Sequence, residues 1–194
     1  MPHASPLRVF FAVELPDETR QRVARYVEDL RGRAPQVRAS WERAEKLHLT
    51  LKFIGEVEAE RVEGLKLAAG RAGSGVAPFD ISIAGTGAFP PRGAPRVLWL
   101  GVLDEGGRLA ELQRRLETEC AAEGFPREQR AFRPHLTLAR LRAPQGAAQL
   151  STLHTRSDFG PETFTVGELV LVRSELAPGG SRHTPLSRHT LAAV

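Results

Sequence analysis

The chain has 194 residues, 41% hydrophobic and 26% charged, with a formal net charge of +4. These proportions belong to a globular chain long enough for a sizeable core and exclude a low-complexity or fibrous one. No stretch approaches the roughly 18 consecutive apolar residues of a membrane span, and residues 1–8 carry no apolar signal core, so a cytoplasmic protein without membrane contact is expected.

Residues 8–15 are rich in β-branched and aromatic side chains and read as a strand. Pro16, Asp17 and Glu18 start a helix, because proline and acids suit its free amides and dipole. Val23, Tyr26, Val27 and Leu30 form its apolar stripe, and Gly32 closes it. A weak strand at 36–39 and Trp41 lead into His48-Leu49-Thr50-Leu51, in a strand over 48–54 that stops at Gly55. A second helix covers 58–69 with Val62, Leu65 and Ala69 inward; Gly70 and Gly73-Ser74-Gly75 end it. A strand at 79–84 and a glycine- and proline-rich loop at 85–91 follow. Residues 96–102 form a nearly continuous apolar strand, expected to be covered on both faces.

The third helix, 107–123, repeats Leu109, Leu112, Leu116 and Cys120 at spacings of three and four. Cys120, the lone cysteine, therefore reads as a packing residue, and it excludes an internal disulfide. A basic loop at 125–133 precedes His135-Leu136-Thr137-Leu138. A polar connection at 142–158 holds a short helix near 147–153, and 164–174 and 183–191 read as final strands. Helices alternate with strands, yet several strands adjoin through short loops, which favours an α+β fold with antiparallel pairing. Both HLTL copies follow a strand-plus-helix unit. The expected architecture is two pseudo-symmetric lobes, mainly antiparallel sheets with outer helices around a central cleft, with residues 1–194 forming one bilobal domain.

Six His and eleven Thr predict about a third of one H-x-T by chance. A single copy therefore reads as structural; two copies, each with Leu at both alternate positions, read as a site. Period-two alternation sends Leu49, Leu51, Leu136 and Leu138 into a core and sets His48 with Thr50, and His135 with Thr137, on the opposite face. One imidazole can take a proton from water while the other gives one to a leaving oxygen. The hydroxyls can donate to phosphate oxygens as charge develops. No His, Cys, Asp or Glu lies two or four residues from either histidine, and no nucleophile elbow, phosphate loop or dinucleotide fingerprint occurs. No metal and no other cofactor is expected.

Strand parity adds Lys52 to the His48 face and Arg133 to the His135 face as phosphate contacts. Arg140 has the opposite parity but could curl round from the strand end. Phe10 and Phe11 could pack in the core or stack a base, and Phe11 is kept as a candidate base contact. His3, His154, His183 and His189 lack the H-x-T context and read as surface or structural residues. Of 27 basic residues only Lys46, Lys52 and Lys66 are lysine. Such an arginine-rich composition reflects a GC-rich genome as readily as an anionic partner, so nucleic-acid binding must be argued from the site.

Taken together, RVFFAVELP at 8–16, HLTLKFIG at 48–55, GAFP at 87–90, RVLWLG at 96–101, FRPHLTLAR at 132–140, and VRSEL at 172–176 with Gly179-Gly180 resemble the 2H phosphoesterases. Within them the chain is most similar to the RNA 2′,3′-cyclic phosphodiesterases, also called the 2′-5′ RNA ligase family. The resemblance covers nearly the whole chain. It implies hydrolysis of terminal RNA 2′,3′-cyclic phosphate to a 2′-phosphomonoester without metal, and a reverse reaction that joins ends through a 2′-5′ linkage. It implies that His48 gives a proton to the leaving 3′ oxygen, that His135 accepts one from water, and that Thr50 and Thr137 hold the phosphate. Partners would be RNA with cyclic phosphate ends, including tRNA fragments, for a monomeric enzyme. One departure is His183, where an aromatic residue is frequent. Competing readings are a non-catalytic module that binds RNA ends, and a phosphodiesterase of small cyclic nucleotides or ADP-ribose cyclic phosphate.

Overall fold

The computed structural model describes residues 6–177 and 180–193; His3 and Gly179 fall outside them. Strand β1 (Leu7–Glu14) leads through Pro16 into α1 (Asp17–Arg33), which buries Thr19, Val23, Val27 and Leu30. Asp17 and Glu18 occupy its first turn and Arg31 and Arg33 its last, matching the helix dipole at both ends. Next come β2 (Ala39–Trp41), β3 (His48–Val57), α2 (Val62–Gly73), β4 (Phe79–Phe89) and β5 (Val97–Leu103). The chain continues through α3 (Arg108–Ala122), β6 (His135–Leu141), α4 (Ala147–Arg156), β7 (Glu162–Val166), β8 (Glu168–Ala177) and β9 (Gly180–Thr190).

The strands lie in the order β7-β4-β5-β6-β3-β1-β8-β9, with β2 added along β6. Every pairing between these strands is antiparallel. The two central strands share one bridged pair, Leu49 with Leu136, so the sheet is two halves, β7-β4-β5-β6 with β2 and β3-β1-β8-β9, meeting at a seam. Each half repeats one unit. β1, α1 and β3 match β5, α3 and β6, and each HLTL strand pairs with the strand before its helix. The α+β fold with antiparallel, pseudo-symmetric halves is therefore the one the sequence predicts.

Leu49, Leu51, Leu136 and Leu138 join Val9, Phe11 and Val13 in a core that also takes residues of α1, α2 and α3. Helices thus cover one face of the seam, and the opposite face carries the polar residues of the HLTL strands. Cys120 is fully buried in this core, and burial pushes its thiol up to about 12, as befits a packing residue. No helix among the described residues is long and apolar enough to cross a membrane.

Several strand expectations change. β3 runs through Gly55 to Val57 rather than stopping there. Residues 85–89 continue β4, because Gly85 adopts a positive φ of 74° where the pairing with β5 shifts register between Ile83 and Thr86. Residues 164–174 are two strands broken at Gly167: β7 ends one half on β4, and β8 enters the other half beside β1. In β5 only Leu98 and Leu100 are fully buried, while Val97, Trp99 and Gly101 are half-buried, so one face alone is closed.

Candidate active site

The Leu49–Leu136 pair fixes where the polar residues fall. Continuing that antiparallel register by one residue each way sets His48 across from Thr137 and Thr50 across from His135. The two histidines occupy opposite corners of a rectangle and the two threonines the other corners. All four line one cleft of about 500 Å³.

Both imidazoles are held the same way. His48 donates from Nδ1 to the Lys46 carbonyl at 2.6 Å, and His135 donates from Nδ1 to the Arg133 carbonyl at 2.7 Å. A carbonyl only accepts, so the proton sits on Nδ1 and each Nε2 is left for the cleft. The Thr50 hydroxyl lies 3.1 Å from His48 Nε2 and donates to it when the ring is neutral. Burial lowers the His48 pKa against upward pulls from the Lys46 carbonyl and Glu14; Arg140 and His135 lower it further. Its neutral form is therefore favoured at neutral pH. Two such nitrogens with two hydroxyls between them can remove and deliver protons on opposite sides of one phosphorus atom.

Strand parity fails beyond Thr50 and Thr137, in both halves and by the same device. Against β1 the register passes from Ala12–Thr50 to Phe11–Lys52, and against β5 from Trp99–Thr137 to Leu98–Ala139. Leu51 and Leu138 are the extra residues of two matched bulges. Each bulge turns two successive residues to the core and moves the next outward: Leu51, Lys52, then Phe53; Leu138, Ala139, then Arg140.

Lys52 is accordingly no phosphate contact. It is 4% exposed, donates to Glu117 at 2.6 Å and to the Pro126 carbonyl at 2.9 Å, and ties β3 to α3. Phe53 takes its place in the cleft, 53% exposed with Arg8 over its ring at 5.0 Å. Arg140 does line the cleft, carried there by the bulge. Phe11 lies fully buried in the core and stacks nothing; its neighbour Phe10 faces the cleft, 4.8 Å from the His48 ring. The Arg133 side chain is exposed outside the cleft lining, and its carbonyl is the part that serves the site.

Sequence reasoning also passes over His183. It lies on β9 opposite Ser174, its ring 5.3 Å from His48 and 5.1 Å from Phe10, both edge-on. Burial, then the nearby His48 and Lys46, push its pKa down to about 4. The half-chain repeat gives no signal for His183, because β8 and β9 join the first half from the far end of the chain. Trp41, Glu42 and Lys46 also line the cleft, and burial raises the Glu42 carboxyl against Arg140 and Lys46.

His135 has its own aromatic support: Phe89 at 5.1 Å and Trp99 at 6.4 Å. Fully buried His154 donates from Nε2 to the Trp99 carbonyl at 3.0 Å and accepts at Nδ1 from the Tyr26 hydroxyl at 2.9 Å. Helices α1 and α4 thereby fix the β5 backbone beside Thr137.

Comparison with other proteins agrees with this fold. A family model for the 2′-5′ RNA ligase superfamily matches residues 15–177. The RNA 2′,3′-cyclic phosphodiesterase of Methanothermobacter thermautotrophicus is 35% identical over 181 residues, 93% of this chain and 96% of that protein. A crystal structure from Thermus thermophilus superposes with a TM-score of 0.79 at 33% identity, covering 96% of this chain and 99% of the other. Escherichia coli LigT complexed with 3′-AMP gives 0.74 at 31% identity, over 96% of this chain and 98% of that one.

Proposed function

Because the chain belongs to the 2′-5′ RNA ligase superfamily, we propose that it hydrolyses RNA 2′,3′-cyclic phosphate ends to 2′-phosphomonoesters. The observation that carries this reading is the pair of Nε2 atoms, each freed by an Nδ1–H bond to a carbonyl two residues back, facing one cleft across the Leu49–Leu136 seam.

In the step proposed, a neutral imidazole takes a proton from water as the water oxygen bonds to phosphorus. The P–O3′ bond breaks on the opposite side, and the second imidazole delivers a proton from Nε2 to O3′. The products are a 2′-phosphomonoester and a free 3′ hydroxyl, and no metal takes part. Thr50 and Thr137 donate to the non-bridging oxygens as charge builds on them. Family likeness assigns the delivering role to His48 and the accepting role to His135. The anionic diester favours the protonated form of His48, offsetting the effect of burial. Phe53 and Arg140, at equivalent positions in the two halves, offer an aromatic face and a guanidinium plane to the terminal nucleoside. With a 5′ hydroxyl in place of water as the attacking group, the same step forms a P–O5′ bond as P–O3′ breaks, leaving a 2′-5′ linkage and a free 3′ hydroxyl. The reading extends to a cytoplasmic monomer, residues 1–194 working as one bilobal domain, with tRNA fragments among its substrates.

Product analysis on a cyclic-phosphate-ended RNA in EDTA tests it. Turnover is expected to persist, with the phosphate left on the 2′ oxygen. His48→Ala and His135→Ala should each lower the rate by at least about 10²-fold. Full activity in either variant overturns the proposal, and so do loss of turnover in EDTA or tight RNA binding without hydrolysis.

A further inference from the structure

A second depression, of about 390 Å³, continues from the cleft along the β2 edge. Trp41 and Arg142 belong to the walls of both, so the two form one track. Arg38 and Arg31 line the far part. The strand register explains why arginines gather there. Ser40 pairs with Arg140, Ala39 pairs with Leu141, and the Arg142 amide donates to the Arg38 carbonyl at 2.9 Å. Arg142 follows the last residue of β6, two residues beyond Arg140, with Ser40 opposite Arg140 and Arg38 beside Arg142. Among the described residues, Arg38, Arg140 and Arg142 make no ion pair with a carboxylate, whereas Arg31 lies 3.6 Å from Glu28. Surface arginines are usually just solvated, but these three follow a continuous groove out of a site built for a phosphate.

We propose that this groove holds the single-stranded RNA immediately upstream of the cyclic phosphate end. Arg142 and Arg38 meet the RNA backbone phosphates, and Trp41, at the junction, lies against a base. The proposal rests on the reading of the cleft given above and adds to it the surface that holds the strand, which favours an oligonucleotide end over a mononucleotide. Charge complementarity and continuity with the cleft select RNA as the occupant.

The test compares a 2′,3′-cyclic mononucleotide with a short oligoribonucleotide, about six residues long, ending in the same cyclic nucleotide. Wild type is compared with Arg38→Glu and with the double variant Arg31→Glu/Arg38→Glu. Each reversal should lower kcat/KM on the oligonucleotide about five- to tenfold, mainly through KM, and flatten the salt dependence by about 0.7 in slope for each phosphate no longer neutralised. Mononucleotide rates should hold, which also shows that the variants fold. Equal oligonucleotide rates in all three proteins, or the same loss on both substrates, overturn the groove and leave the cleft reading standing. If wild type turns over neither substrate, the cleft reading falls instead. The groove is then decided by fluorescence anisotropy of the oligonucleotide bearing a terminal 2′-phosphate: weaker binding in the double variant supports it, and unchanged binding overturns it.

Discussion

Burial and the Lys46 carbonyl pull the His48 imidazole in opposite directions, and burial prevails. Its ring should therefore titrate below about 6.5 in the free protein. A bound 2′-phosphate mononucleotide sets negative charge against Nε2 and should move that titration upward. The His48 imidazole resonances followed by NMR across pH, with and without the nucleotide, decide this; no upward movement would take the phosphate away from His48. Lys52 calls for the opposite kind of experiment. Its ammonium and the Glu117 carboxylate are both buried, and Gln113 and the Glu128 amide complete the carboxylate's bonds. Lys52→Ala strands Glu117 and should cost about 3–5 kcal/mol in denaturant unfolding, with much of the loss recovered in Lys52→Met/Glu117→Leu. A stable Lys52→Ala with a raised KM would return Lys52 to the phosphate.

The two bulges are where reading by alternation stops working. Leu49, Leu51, Leu136 and Leu138 all fall in the core as the period predicts, and His48, Thr50, His135 and Thr137 all reach the cleft. One extra residue then reverses the assignments that follow it on each strand, until in β3 a second shift at Ile54 restores them. In β6 the adjacent apolar pair Leu138-Ala139 marks the interruption. In β3 the second residue is Lys52, whose charge hides it by looking like a solvated face. The repeat itself held the answer, since Phe53 and Arg140 stand at the same distance from their histidines. Close approach of strands matters as much in the second half. A Cβ on Gly87 would collide with the Trp99 ring, so this glycine lets the indole lie across β4 near His135. Gly87→Ala should cost about 1–3 kcal/mol by overpacking and lower kcat by moving Trp99 against His135. Unchanged kcat in a destabilised variant would confine the indole to a structural role.

Over the whole molecule, His48, His154, His183 and His189 all titrate below the ordinary histidine value, each chiefly because of burial. The unfolded chain binds protons at about 6.5, whereas the folded chain resists them, His183 down to about 4. Their contribution to stability is complete above about pH 6.5 and is lost progressively as pH falls toward 4. Thermal unfolding followed from pH 7.5 to 4.5 should show Tm falling with acid, less steeply in His183→Gln; an equal slope in that variant would show that His183 is not the group responsible. The duplication was legible because each half spells its own strand, helix and HLTL. The contribution of β8 and β9 was not, because the chain completes the first half only after finishing the second.

To a bare phosphate, the seam looks alike after half a turn: His48 with Thr50 simply exchanges places with His135 and Thr137. The paired motifs therefore supply reactivity without a sense of direction. Direction comes from what the two halves do not share: Phe53 facing Arg140, His183 beside one imidazole and Trp99 beside the other, and an arginine-lined exit along β2 alone. On the function proposed here, which histidine gives the proton follows from how the nucleoside lies, so the direction of the reaction is a property of its substrate's longest side.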